Sequence, residues 1–407
     1  MTRRAVAALG AVVATLVLPA APAYADGIRD SQWHLSFLDV VGAQRHSMGV
    51  GVTVAVVDSG VDPRHADLEG SVLPGIEVTS GTGAESDVDG RGTGLAGLIA
   101  GHGHGAARSG GPDGSDGVLG IAPRARVLPV AITSRPGQFG DPDVLADGID
   151  AAVAAGASVI CVGRGLPPSP RLEQAVANAV RAGAVVVAPL ANRRGDGFLA
   201  WPASYPGVVA VAPVDRTGAL VIPAAPVAAP SAAPSERPAG TVAGATIAAP
   251  GTDLVTTDAG GGYRIDAGTG SAALVAGVAA LVRARFPQLS GAEVIRRLTV
   301  TATDRGPAGP DPGYGAGLVN PTAALTQAVP VLAVPEPTTR PSPTAAPRPT
   351  ETAATPAPAV PPGPADTGLP AFDSRDWRRW LVAVPLLVFL AGLVWFATRG
   401  RKAVSAR

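Results

Sequence analysis

At 407 residues the chain has room for one large domain or two of medium size. Its 32 basic and 32 acidic side chains cancel, which excludes the bulk positive field of a general nucleic-acid binder, and no nucleic-acid partner is expected. A single cysteine, Cys161, excludes an intramolecular disulfide framework.

Residues 1–25 read as a secretory signal peptide. Arg3 and Arg4 give a positive start, and an apolar run extends from Ala5 to Leu18. Ala23-Tyr24-Ala25 then supplies the small residues that a signal peptidase requires before a cut at Asp26. The expected mature body covers residues 26–330.

Within that body, short β-branched runs alternate with Ala-rich runs of helical spacing. Strands are predicted at Gly51 to Val57, Ala125 to Ile132, Val159 to Val162, Ala184 to Ala188 and Val208 to Val214. Helices are predicted at Thr93 to Ala100, Val144 to Ala155, Leu172 to Ala182 and Ser271 to Phe286. Continuous apolar strands separated by helices imply an α/β fold with a mainly parallel sheet covered on both faces. Functional residues then gather at the carboxyl ends of the strands. Cys161 falls inside the apolar run Ala157 to Val162 and is expected to be a buried core thiol. Pro223 to Gly240 is rich in Pro and Ala and is expected to be an irregular surface loop.

Residues 331–375 form a Pro/Thr/Ala-rich linker with no apolar periodicity, expected to be disordered and extended. Residues 376–398 are predicted to be a transmembrane helix. The uncharged stretch Trp380 to Thr398 would rise ~28 Å as a helix, close to the hydrocarbon thickness of a bilayer. Trp377, Trp380 and Trp395 lie near its ends, as an interfacial belt would. The basic tail, residues 399–407, carries Arg399, Arg401, Lys402 and Arg407 and is expected on the cytoplasmic side. The membrane is therefore an expected partner, with the body outside the cell.

Three segments carry a recognisable pattern. The first predicted strand runs into Asp58-Ser59-Gly60, followed by Val61-Asp62-Pro63-Arg64-His65-Ala66-Asp67-Leu68. Asp87 to Gly101 reads DVDGRGTGLAGLIAG, and Ala267 to Leu281 reads AGTGSAALVAGVAAL. In order and content these resemble the aspartate, histidine (GHGTxVAGxIA) and serine (GTSxAxPxVAG) blocks of the subtilisin family. The resemblance implies a subtilisin-like three-layer fold. Signal, single peptidase-like domain, Pro-rich stalk and terminal span together resemble the mycosins, membrane-anchored proteases associated with type VII secretion in actinobacteria. Gln32-Trp33-His34-Leu35 and Pro202 to Val209 are similar to that group as well. The resemblance implies type VII secretion membrane components and secreted peptides as partners.

The catalytic positions are altered. Asp58 matches the aspartate that orients a catalytic imidazole. The histidine position holds Arg91, with Gly90, Gly92, Thr93, Ala96 and Gly97 keeping register around it. A guanidinium stays protonated and has no lone pair to accept a proton, so Arg91 cannot act as base. It is expected instead to pair with Asp58. Continued helical spacing would put His102 and His104 ~16 Å or more from the start of that helix, too far to replace the base. The serine position falls on Thr269 when counted back from Val275-Ala276-Gly277, and on Gly270 when counted forward from Gly268. The first is preferred, since a deletion within a buried helix would rotate every following side chain by about 100°. Ser271 is expected to cap that helix. Asn192 matches the family's oxyanion asparagine. Gly163-Arg164-Gly165 stands where the family's substrate-pairing strand usually has Ser-Leu-Gly, and an Arg there would change or block the peptide cleft. No ligand-spaced cluster argues for a metal or cofactor. A catalytically inactive pseudopeptidase acting as scaffold or peptide binder is expected. The alternative is a serine-type endopeptidase with residual or rewired activity.

Overall fold

The structure is a computed structural model that describes residues 27–81, 83–107, 114–138, 140–190, 192–194, 197–199, 201–221, 244–266 and 268–330. The chain divides into two compact units, 1–334 and 335–407, and all described residues belong to the first. The signal peptide, the linker, the membrane span, the basic tail and the Pro223 to Gly240 loop lie outside the described residues.

Three short helices, α1 (Gly27–Ser31), α2 (Trp33–Phe37) and α3 (Val40–Gln44), precede strand β1 (Thr53–Asp58). Strand β2 (Ile76–Glu77) and helix α4 (Arg91–Ala100) follow, then a hairpin of β3 (His102–Ala107) and β4 (Gly114–Leu119). Next come β5 (Arg126–Ala131), α5 (Pro142–Ala154), β6 (Val159–Val162), α6 (Pro170–Arg181) and β7 (Val185–Pro189). After them lie the small hairpin β8 (Asn192–Arg194) and β9 (Gly197–Leu199), then β10 (Val208–Val214) and β11 (Ile247–Pro250). A second hairpin, β12 (Leu254–Thr257) and β13 (Tyr263–Asp266), leads into α7 (Gly270–Arg285), α8 (Gly291–Val300) and α9 (Pro321–Thr326).

Seven strands form one sheet in the order β11-β10-β7-β6-β1-β5-β2, and every pairing in it is parallel. The period of two along each strand divides the core. Val54, Val56 and Cys161 face one layer with Leu95 and Leu98 of α4 and Leu274 and Val278 of α7. Ala55, Val57 and Ile160 face the other, with Leu145 and Ile149 of α5 and Leu172 and Val176 of α6. Sequence and structure thus agree on an α/β fold with a mainly parallel central sheet between helical layers. Every residue of α7 from Gly270 to Val282 is buried, as expected of a helix that is apolar all round. Helix starts follow capping chemistry: Asp141 before Pro142, Ser169 before Pro170, and a Ser290–Glu293 capping box.

Two local expectations are corrected. His102 and His104 do not continue α4 but lie on β3, because Gly103 and Gly105 adopt positive φ values of 68° and 78° that no helix accommodates. Ser271 does not cap α7. It sits inside the first turn, buried, and its hydroxyl has no hydrogen-bond partner among the described residues.

Candidate active site

Asp58 ends β1 at the carboxyl edge of the sheet and is completely buried. The next turn is tied to the start of α4. Ser59 Oγ donates to Asp87 Oδ1 at 2.7 Å and accepts from the Gly92 N–H at 3.1 Å. Asp87 takes the N–H groups of Asp89 and Gly90 on Oδ1, and the N–H and hydroxyl of Thr93 on Oδ2. A carboxylate here satisfies donors that a helix leaves open at its first turn. Burial pushes the Asp87 carboxyl above its ordinary range, against the lowering effect of these bonds. A Cβ at Gly92 would stand 1.9 Å from the Gly60 carbonyl oxygen, so only glycine lets the helix start this close to the turn after β1.

That approach delivers Arg91 to Asp58. The Arg91 Nε–H donates to both carboxylate oxygens, at 2.8 Å and 3.0 Å. Asp89 lies 3.7 Å from Arg91 Nη2. Burial pulls the guanidinium down, but the charges of Asp58, Asp89 and Asp87 together with the Asp58 hydrogen bond more than offset it, and it stands above its ordinary value. The expected pairing of Arg91 with Asp58 is therefore present.

A second guanidinium reaches the same carboxylate. Arg164 follows β6, is 3% exposed, and donates from Nη2 to Asp58 Oδ1 at 3.2 Å and from Nη1 to the Gln138 carbonyl at 2.8 Å. Its neighbour Gly163 makes this possible, since a Cβ there would lie 2.1 Å from Asp58 Oδ2. The sequence marks Arg164 as a change in the peptide-pairing strand; its bond to Asp58 spans 106 residues and has no local signature.

The two candidate nucleophile positions are committed elsewhere. Thr269 Oγ1 donates to Asp266 Oδ1 at 3.3 Å, and the Gly270 N–H donates to Asp266 Oδ2 at 2.6 Å. Asp266, at the end of β13, thus caps α7 in the role expected of Ser271. Burial raises its carboxyl above the ordinary range, and the bonds from Gly270 and Thr269 act in the other direction. A Cβ on Gly270 would point into the core, 2.7 Å from Leu98 and Leu254 methyl carbons and 2.8 Å from Asp266 Oδ2. A nucleophilic side chain does not fit at 270.

The neighbouring imidazoles are also bonded elsewhere. His65 Nδ1 accepts from the Asp67 N–H and Nε2 meets the Gly262 carbonyl. His104 Nδ1 lies 2.6 Å from Asp67 Oδ1, and both His102 ring nitrogens face carbonyls, those of Gly103 and Glu69. Asn192 begins β8, and its side chain lies outside what the structure describes. Cys161 is fully buried in the core, and that burial pushes its thiol well above the ordinary range. Among the described residues no group of three or more His, Cys, Asp or Glu side chains is placed to hold a metal ion.

The sheet order, the aspartate at the end of β1, and helices beginning beside it at Arg91 and Gly270 define a peptidase-like fold of the subtilisin class. The Peptidase S8 subtilase family model matches residues 49–317, and the chain belongs to that family. Subtilisin DY of Bacillus licheniformis is 32% identical over 293 residues, which is 70% of this chain and 94% of that protein. A solved structure of MycP1, described as a serine protease and an essential component of the type VII (ESX-1) secretion system, matches with a TM-score of 0.58. It is 29% identical and covers 75% of this chain and 91% of that one. MycP3 protease from the type VII (ESX-3) secretion system gives a TM-score of 0.54 at 30% identity, over 72% of this chain and 88% of that one. These neighbours agree with a mycosin-like subtilisin.

Proposed function

We propose that this protein is a non-catalytic subtilase, exported, held at the membrane by residues 376–398, and working as a scaffold or peptide-binding subunit of a type VII secretion system. The contact between Arg91 and Asp58 carries the reading. Serine-type hydrolysis needs a base that takes the nucleophile's proton and a carboxylate that orients the base. Here a group with no acceptor occupies the base position and consumes the carboxylate. The secretion context is inferred from the similarity to MycP1 and MycP3 and from the order of signal, body, stalk and span along the chain. Secreted peptides and membrane components of the secretion machine are the partners this implies.

One contact favours a second reading, a rewired peptidase. Thr269 is bonded to a carboxylate raised by burial, which is the pairing a hydroxyl nucleophile with an acidic base would use. Incubating the full-length protein with a diverse peptide mixture separates the two. The non-catalytic reading predicts peptides recovered uncut, some retained on the protein. New termini that disappear in Thr269→Ala would establish the peptidase.

A further inference from the structure

Asp58 serves two cations, and the second has consequences of its own. Arg91 bridges both oxygens through Nε, and Arg164 takes Oδ1 through Nη2. Both donors come from outside β1: Arg91 from the first residue of α4, Arg164 from the segment after β6. Arg164 is the more deeply placed, 3% exposed against 24% for the Arg91 side chain. It is also anchored to the Gln138 carbonyl, a contact that does not involve position 91.

We propose that Arg164 is a positioning residue that holds Asp58 as a counter-ion, so that a histidine at position 91 would not recover a working aspartate–imidazole pair. An orienting aspartate must accept the imidazole N–H and stabilise the imidazolium that forms during catalysis. With Arg164 at 3.2 Å, one oxygen is already engaged and a positive charge offsets the field of the carboxylate. The centre is thus built from two arginines that share one acid, and Arg91 is only the half visible in the motif. This goes beyond the non-catalytic reading, because it concerns the charge state around Asp58 and holds whether or not the unaltered protein cuts peptides.

The imidazole introduced by Arg91→His reports on this directly. Around it stand Asp58 of β1, Asp87 and Asp89 of the turn before α4, Arg164 after β6, and Arg264 and Asp266 of β13. Full-length protein carrying Arg91→His, alone and combined with Arg164→Gln, is titrated by NMR of labelled histidine. Removing the Arg164 charge is expected to move the midpoint of the new imidazole up by about one pH unit or more, as a carboxylate freed for it would. An unchanged midpoint would overturn the proposal. Where Arg164→Gln prevents folding in that background, Arg164→Lys, Arg91→His and their combination are compared by thermal melting. Sharing of one acid predicts losses in melting temperature that are clearly non-additive, and additive losses would overturn it.

Discussion

Completely buried, the Asp58 carboxylate accepts three hydrogen bonds from two guanidinium groups. Without the acid both guanidinium groups lose a charged partner at hydrogen-bond distance, and without them the acid would be an unbalanced buried charge. Replacing the acid by an isosteric amide leaves two cations facing each other, a change that costs about 3–5 kcal/mol in buried pairs. Asp58→Asn is therefore expected to lower the unfolding free energy by that amount in denaturant titration, and a loss under about 1 kcal/mol would show that the pair is not a structural keystone. The nucleophile position yields a second expectation. Gly270→Ser places a side chain against Leu98, Leu254 and Asp266, and should destabilise the fold by about 1–3 kcal/mol through overpacking. Thr269→Ser keeps the hydroxyl that meets Asp266 and should be nearly neutral on the same scale. The Asp58–Arg91 relation is legible in the sequence because the residues from Gly90 to Ala100 keep an unbroken register. Arg164 and Asp266 are not legible as partners. The first acts across a sheet, and the second takes a capping role that the sequence gives to Ser271.

At the scale of elements, the long periodic ones declare themselves. β6 and β10 match their predicted spans, and α5, α6 and α7 differ from theirs by a residue or two at the ends. The hairpins β3–β4, β8–β9 and β12–β13 are not legible, since they are short, rich in Gly and polar residues, and follow no sustained alternation. The N-terminal helices carry an acid sensitivity of their own. His34 of α2 is fully buried, neither ring nitrogen has a partner among the described residues, and burial lowers its imidazole from 6.5 to about 3. Below pH 6.5 the unfolded chain therefore binds a proton that the folded chain refuses. Stability is present above that pH and falls as acid is added, by up to about 1.4 kcal/mol per pH unit from this group. Asp87 and Asp266, raised by burial, act in the opposite sense, so the comparison must be made within one pair of proteins. His34→Leu should flatten the decline in melting temperature between pH 6.5 and pH 4, and parallel curves for the two proteins would reject the assignment.

Across the described residues, the parallel sheet and its two helical layers preserve the frame of a subtilase, while at its edge an arginine, Arg91, stands at the base position and bonds Asp58. The fold asks only that strands bury β-branched residues and that α7 be apolar all round, and neither demand involves the base or the nucleophile. Altering them leaves the core intact, so fold and catalytic competence are separable in this chain. Exposing the full-length, detergent-solubilised protein to a fluorophosphonate tests that separation. No adduct is predicted, because Arg91 offers no lone pair, Asp58 is bound by two arginines, and Thr269 is held by Asp266. A covalent adduct on Thr269, formed at a rate that Thr269→Ala abolishes, would contradict a non-catalytic cleft.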